Sequence, residues 1–267
     1  MILKNKIPNR VNAYMDTPRS KVNKKISIIV ATFNSGKTIS KCLESIVNQK
    51  IPEVELVVID GGSSDNTLSI IKSYSDFIDY FISEQDSGIY DAWNKGLLAS
   101  NGEWVSFVGS DDYLIEGALS SYLELVPNLG DVDYISSAVN LVNDREEVIG
   151  KIDGAFDWRV FRNYMNVAHV ASLHSKQLFK DVGFFDTSFK ICGDYELLLR
   201  KGKELKAYYH DRKVANMTVG GISHNSFESL SEALEAKIKN KSRPLLFCYL
   251  DYYLATVKLA ARIRLTK

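Results

Sequence analysis

The sequence predicts an α/β fold: a doubly wound, mostly parallel sheet with helices on both faces. Three observations carry this. Short, nearly pure apolar runs rich in β-branched residues recur through the first 110 or so positions, as in 26–31 (ISIIVA) and 55–59 (ELVVI). Segments of helical period separate them. Each run ends in a polar or glycine-rich loop, so these loops gather along one edge of the sheet, where open α/β sheets bind ligands.

Taken in order, residues 1–25 are polar, hold seven Lys or Arg against Asp16 and are punctuated by Pro8 and Pro18, which predicts a poorly ordered basic tail. The first strand covers 26–31, with 32–36 as its loop. A helix over 38–48 places Ile39, Cys42, Leu43, Ile46 and Val47 at helical spacing, and Pro52 ends that unit. A second strand over 55–59 runs into Asp60-Gly61-Gly62, and Ser64 or Asp65 caps a helix over 67–74. A third strand follows over 78–82. The stretch 83–114 then gives a polar loop, a helix, a strand over 104–108 and the adjacent carboxylates Asp111 and Asp112.

Beyond Asp112 the pattern loosens, so 26–114 reads as a regular half and 115–225 as a less regular one. Helices are expected over 116–125, 175–182, 194–201 and 226–241, with loop and a short helix in 156–166. Strands are expected over 132–139, 147–152, 206–210 and 213–219. Pro244 starts a final helix to about Leu265. Asp251, Ala255, Lys258 and Arg262 form one narrow polar stripe on it, the rest being largely apolar. That helix packs on the domain or a second subunit, or lies on a membrane surface.

Composition excludes several classes. Lys plus Arg and Asp plus Glu both number 33, so no global charge points to nucleic acid. Three scattered cysteines without a CxxC predict a reducing compartment and no zinc site. The amino-terminal residues show no apolar leader, and no apolar run is long enough to cross a bilayer.

Asp111 and Asp112 sit at the carboxyl end of a strand, where two carboxylates repel unless a cation joins them, and a divalent ion holding a phosphate suits them. Phe33, ending strand one, offers a flat face for a base or packs in the core. Asp60, ending strand two, accepts from a base N–H or shapes a turn. A competing motif, 31–38 (ATFNSGKT), nearly matches a phosphate-binding P-loop with Lys37 as its lysine. Bulky Phe33-Asn34 argues against it, and it leaves Asp111-Asp112 unused.

Four blocks, 28–34 (IIVATFN), 58–67 (VIDGGSSDNT), 86–96 (DSGIYDAWNKG) and 109–112 (GSDD), resemble family 2 glycosyltransferases in order and spacing. The resemblance covers roughly 26–225. It implies the GT-A fold, with a Rossmann-like nucleotide-sugar half over 26–114 and an acceptor half over 115–225; the helices read over 226–267 lie beyond it, for a membrane surface or an oligomer contact. It also implies an inverting, metal-dependent transfer from a UDP- or GDP-sugar to a glycan or polyprenyl-linked acceptor in surface polysaccharide synthesis. The remaining classes are a P-loop nucleotide hydrolase and a non-catalytic sugar-nucleotide binder.

On this resemblance Thr32 and Phe33 line the base pocket, Asp60 reads the base, and Asp86 and Asn94 lie near the donor sugar and diphosphate. Asn34, Gly61, Tyr90 and Lys95 fall in the same blocks and join the donor residues. The family's DxD element falls on Ser110-Asp111-Asp112, with Asp112 as ligand to Mg²⁺ or Mn²⁺ and Asp111 on the ribose or the metal. Asp194 aligns with the catalytic base, Gly193 replacing the family's usual Glu; Glu196 is the other candidate, and a helix cap is the alternative role for Asp194. His169 is an acceptor or sugar contact, or a buried core histidine. Gly221 and His224 belong to a late glycine-rich turn near the diphosphate or metal. The expected location is cytoplasmic, peripheral to the inner membrane face through 244–267, with a homodimer also open.

Overall fold

A computed structural model describes residues 23–220 and 226–265. Among these, nine strands form one sheet. The amino-terminal half is β1 (Ile26–Thr32), α1 (Ile39–Val47), β2 (Val54–Asp60), α2 (Thr67–Ser73), β3 (Tyr80–Ser83), α3 (Ile89–Ala99) and β4 (Trp104–Gly109). Its four strands are all parallel. β1 and β2 are buried at every position, as their unbroken apolar runs predict. Each Ile or Val so enclosed contributes roughly 1.5–3 kcal/mol. Ile28 and Val30 face one core cluster, Ile29 and Ala31 the other. The N-cap of α2 is Asn66, without a side-chain cap bond, rather than the expected Ser64 or Asp65; Asp65 instead accepts the Thr67 N–H at 3.0 Å in the turn leading into the helix.

The strand order reverses at β1: the chain runs outward through β2 and β3, then returns to place β4 on the other side. A crevice opens at such a switch point. Here Thr32 ends β1, and Gly109 on β4 pairs with Ala31.

The second half comprises β5 (Tyr113–Leu114), α4 (Ala118–Leu125), β6 (Tyr134–Val142), β7 (Val148–Ile152), α5 (Trp158–Phe161), β8 (Leu173–Ser175), α6 (Lys176–Val182), α7 (Gly193–Lys201) and β9 (Ala207–Thr218). α8 (Phe227–Lys239) and α9 (Leu245–Leu265) complete the chain. The sheet order is β3-β2-β1-β4-β8-β6-β9-β5, with β7 paired to β6 off this path; β8 lies antiparallel between β4 and β6, so one sheet runs through both halves.

The sequence pattern misses β5 and β8, too short to show a period. It also splits β9 in two. The chain there is one strand bulged at Asp211-Arg212, since Ser137 pairs with His210 and Ala138 with Lys213. Of the expected basic tail, 1–22 lie outside the described residues. Lys24 and Lys25 are pinned instead, to Asp79 at 3.2 Å and to Glu103 at 2.7 Å.

The narrow polar stripe expected on α9 divides. Asp251 turns inward, pairing with Lys237 of α8 at 3.2 Å and Arg243 at 2.6 Å, while Lys258 and Arg262 face solvent. Cys248 and Leu259 are buried with it, leaving Leu246, Leu250, Tyr253, Leu254 and Val257 exposed.

Candidate functional site

The loop after β4 holds Ser110, Asp111 and Asp112. Asp111 is exposed and Asp112 buried. Their carboxylates converge over Gly109: Asp111 Oδ1 and Asp112 Oδ2 lie 2.8 and 3.0 Å from where a Cβ on Gly109 would sit. Burial, then the neighbouring Asp111, pushes the Asp112 carboxyl up to about 8. Near neutrality the pair therefore holds a proton unless a cation replaces it. Hard carboxylate oxygens suit Mg²⁺ or Mn²⁺. Among the described residues no group of three or more His, Cys, Asp or Glu side chains gathers.

Two contacts that the sequence does not reveal fix this loop. The Thr218 N–H at the end of β9 donates to Asp112 Oδ1 at 2.9 Å, and its hydroxyl donates to the Asp111 carbonyl at 2.6 Å. Ser110, standing where the resemblance expects an acid, exchanges a hydrogen bond with Ser35 of the β1 loop at 2.7 Å.

The β1 loop decides against a P-loop. The N–H groups of Asn34, Ser35 and Gly36 donate to Ser63 Oγ, Thr67 Oγ1 and Asp65 Oδ2 at 2.7, 2.7 and 3.0 Å. Side chains, one a carboxylate, occupy the amides that would cradle a phosphate. Lys37 points to solvent. Phe33 is 61% exposed, so its ring is free to stack rather than part of the core. Thr32 is buried with its hydroxyl unpartnered. Asn34 Oδ1 accepts from the Ser64 N–H at 2.8 Å and ties the first two loops together.

Asp60 differs from the expected base reader. It is fully buried and accepts from the Gly62 N–H at 3.0 Å, the Ser63 N–H at 2.9 Å, the Ser63 hydroxyl and the Ser83 hydroxyl at 2.6 Å. Four protein donors fill its acceptor sites, so in this conformation it shapes the loop. Gly61 approaches Asp86 rather than open space, since a Cβ there would meet Asp86 Oδ2 at 2.6 Å. Asp86 is partly exposed, accepts from the Gly88 N–H at 2.9 Å, and is raised above the usual carboxylate range chiefly by burial.

Asn94 is likewise not free for a donor. Its amide donates to the Phe185 carbonyl at 2.9 Å and accepts the Phe185 N–H at 3.0 Å, stapling α3 to the loop before α7. Lys95 pairs with Glu84 at 3.0 Å. Tyr90 bridges instead: buried and stacked on Phe185, it donates to the Ile191 carbonyl at 2.7 Å and lies 3.3 Å from Asp194 Oδ1.

Asp194 enters the first turn of α7 beside that phenol. Burial pushes its carboxyl up to about 6, against the opposing pull of the Tyr195 N–H, at 2.8 Å, and of Tyr90. A carboxylate titrating there suits a general base. Gly193 makes the approach possible, because a Cβ would lie 2.7 Å from the Tyr90 ring. Glu196 is excluded as base. It is fully buried against Arg200, whose Nε donates at 2.9 and 3.0 Å, and Lys239 and Asn240 also hold it. His169 is no acceptor contact here: it is buried, stacked on Trp93 at 4.7 Å and Phe107 at 5.5 Å, and burial holds it well below its ordinary value. Gly221 and His224 lie outside the described residues.

The family model described as Glycosyl transferase family 2 matches residues 27–169. A PGL/p-HBAD biosynthesis glycosyltransferase of Mycobacterium bovis is 28% identical over 225 residues, covering 82% of this chain and 84% of that protein. Among solved structures, S. aureus TarS 1-349 in complex with UDP-GlcNAc superposes with TM-score 0.65 at 22% identity, over 81% of this chain and 66% of that one. The chain spans 39% of a longer TarS chain. The mannosyltransferase PcManGT from Pyrobaculum calidifontis, in complex with GDP-Man and Mn2+, gives 0.64 at 17% identity, over 90% and 74%. These structural likenesses establish the GT-A fold.

Proposed function

The chain belongs to glycosyl transferase family 2, and from that premise we propose an inverting transfer of sugar from a UDP- or GDP-sugar to a hydroxyl of a glycan or lipid-linked acceptor. The observation that carries the reading is the Tyr90 bridge. It sets Asp194, in the second half, against the helix that starts three residues after Asp86, in the first. In this reading the donor-side carboxylates and Asp194 work together at the sheet edge where the strand order reverses.

In this reading the donor's base stacks on the exposed Phe33 and its diphosphate lies toward Asp111 and Asp112. Asp194 takes the proton of the acceptor hydroxyl. The acceptor oxygen bonds to the anomeric carbon from the opposite face, the bond to phosphate oxygen breaks, and the nucleoside diphosphate leaves with the electron pair. Asp111 and Asp112 would hold Mg²⁺ or Mn²⁺, which when bound would supply positive charge to offset that developing on the leaving group. Asp86 accepts hydrogen bonds from the sugar. The neighbours in complex with UDP-GlcNAc and with GDP-Man and Mn2+ support both the donor class and the metal.

The outward apolar face of α9 is assigned to an anionic lipid surface, in keeping with a cytoplasmic enzyme acting on membrane-bound acceptors. Leu246, Leu250 and Tyr253 are exposed there beside Lys258, Arg262 and Arg264, which complement anionic headgroups. Among the described residues no helix is long and apolar enough to cross a membrane.

A thermal-shift screen of UDP- and GDP-sugars with Mn²⁺ tests the central reading. A donor at a hundredfold excess over Kd stabilises by about 2.7 kcal/mol. One nucleotide class should raise Tm and support product release; no shift with any donor would sink the proposal.

A further inference from the structure

We propose that Glu232, on α8, is a positioning residue for Asp194, holding the loop that presents this base. The inference rests on the glycosyltransferase reading. Glu232 Oε1 accepts the Lys190 N–H at 2.9 Å, and Oε2 accepts the Ile191 and Cys192 N–H groups at 2.8 Å each. These amides lead directly into α7, where helix-terminal N–H groups need partners from outside the helix. A carboxylate fills that need with three charge-assisted bonds.

The peptide units it grips reach the site. The Ile191 carbonyl accepts the Tyr90 hydroxyl at 2.7 Å, and Lys190 Nζ donates to the Ser87 carbonyl at 2.7 Å. Ile191 is therefore held from both sides, by α8 through its N–H and by α3 through its carbonyl, three residues before Asp194. Cys192 Sγ adds a contact to the Ser229 carbonyl at 3.3 Å. α8 lies beyond the residues matched by the family model, and this clamp gives it a part in the chemistry.

Among the described residues, the titratable groups that act on Asp194 are Tyr90 from α3, Tyr134 from β6, its neighbour Cys192 and Glu232 from α8. Glu232 is the carboxylate among them, and its charge disfavours ionisation of Asp194. Glu232→Gln keeps the shape and one acceptor but loses that charge; Glu232→Ala loses the clamp.

The full-length protein and both variants are compared by hydrogen exchange and by the pH dependence of turnover with the donor found in the thermal screen. Glu232→Ala should expose the amides of 190–192 to exchange and lower kcat about 10–100-fold, with donor KM within about twofold, the scale expected for a misplaced catalytic group. Glu232→Gln should lose about threefold and move the acid limb to lower pH. Unchanged protection in Glu232→Ala, or wild-type kcat in it, overturns the proposal. If that variant does not fold, an unmoved acid limb in Glu232→Gln does so. If exchange rises as expected but the wild type turns over no donor, the transferase reading falls, and the positioning role with it.

Discussion

Asp194→Asn should inactivate the enzyme while making it more stable at alkaline pH. The carboxyl is raised from 3.8 to about 6, mainly by burial. The folded state therefore binds its proton more tightly than the unfolded chain, and stability falls as pH rises from about 4 to about 6, then levels off. A rise of that size corresponds to about 3 kcal/mol. Asn never ionises, so it removes that penalty, but it weakens the hydrogen bonds from the Tyr195 N–H and Tyr90, worth about 1–2 kcal/mol together. The balance is a loss of about 1 kcal/mol near pH 4, where the wild-type carboxyl is largely protonated and little penalty is left to remove, and a gain of about 1–2 kcal/mol at pH 8. For a chain of this size that is roughly 2–8 °C in Tm. Turnover should drop about 10²–10⁴-fold, the usual contribution of a general base, and wild-type activity should fall on the acid side through a pKa of about 6. Scanning calorimetry at pH 4, 6 and 8, with nucleoside diphosphate release measured in parallel, reads both effects. A variant with wild-type turnover, or one less stable than wild type by the same margin at pH 4 and pH 8, refutes the reasoning.

Other perturbations separate the remaining parts. Asp112→Asn should weaken Mn²⁺-dependent donor binding at least ~10-fold, and wild-type affinity for Mn²⁺ should climb as pH rises toward 8, since binding displaces the proton held there; calorimetric titration of Mn²⁺ against pH checks both. Gly193→Ala forces a methyl to within 2.7 Å of the Tyr90 ring and should cost about 1–3 kcal/mol, visible in urea unfolding. Phe33→Ala should leave Tm unchanged, because the ring is 61% exposed, yet weaken donor binding about 5–30-fold through lost stacking. Replacing Leu246, Leu250 and Tyr253 by Glu should abolish sedimentation with vesicles containing anionic lipid; undiminished binding, or a change only in oligomeric state, would reassign α9 to protein contact.

The fold is legible where a side-chain period is long and uniform. β1, β2 and β4 are buried on both faces, so their apolar runs announce them, and parallel strands separated by helices allow few topologies. The second half is less readable because its strands answer to neighbours. β8 has three residues, too few for any period, and takes its place from pairing with β4 and β6. β9 conceals its continuity behind the bulge at Asp211-Arg212.

The site shows the same division. The family resemblance marks Asp111, Asp112 and Asp194, the carboxylates to which the proposal gives the metal and the acceptor proton. Spacing does not tell whether a polar side chain faces ligand or protein: Asn94 spends its amide on Phe185, and Asp60 is saturated by its own loop. Thr218 and Glu232 are invisible beforehand, since what they supply is a hydrogen bond to residues 106 and about 40 positions away.

The most direct test is donor affinity, measured by titration calorimetry with Mn²⁺ for the wild type, Asp112→Asn and Asp194→Asn side by side. The account assigns Asp112 to the leaving-group side and Asp194 to the proton of the acceptor. It predicts that Asp112→Asn loses donor affinity, while Asp194→Asn binds donor with wild-type Kd and fails in turnover. Equal loss of donor binding in both variants, or full binding in Asp112→Asn, would contradict that division of labour.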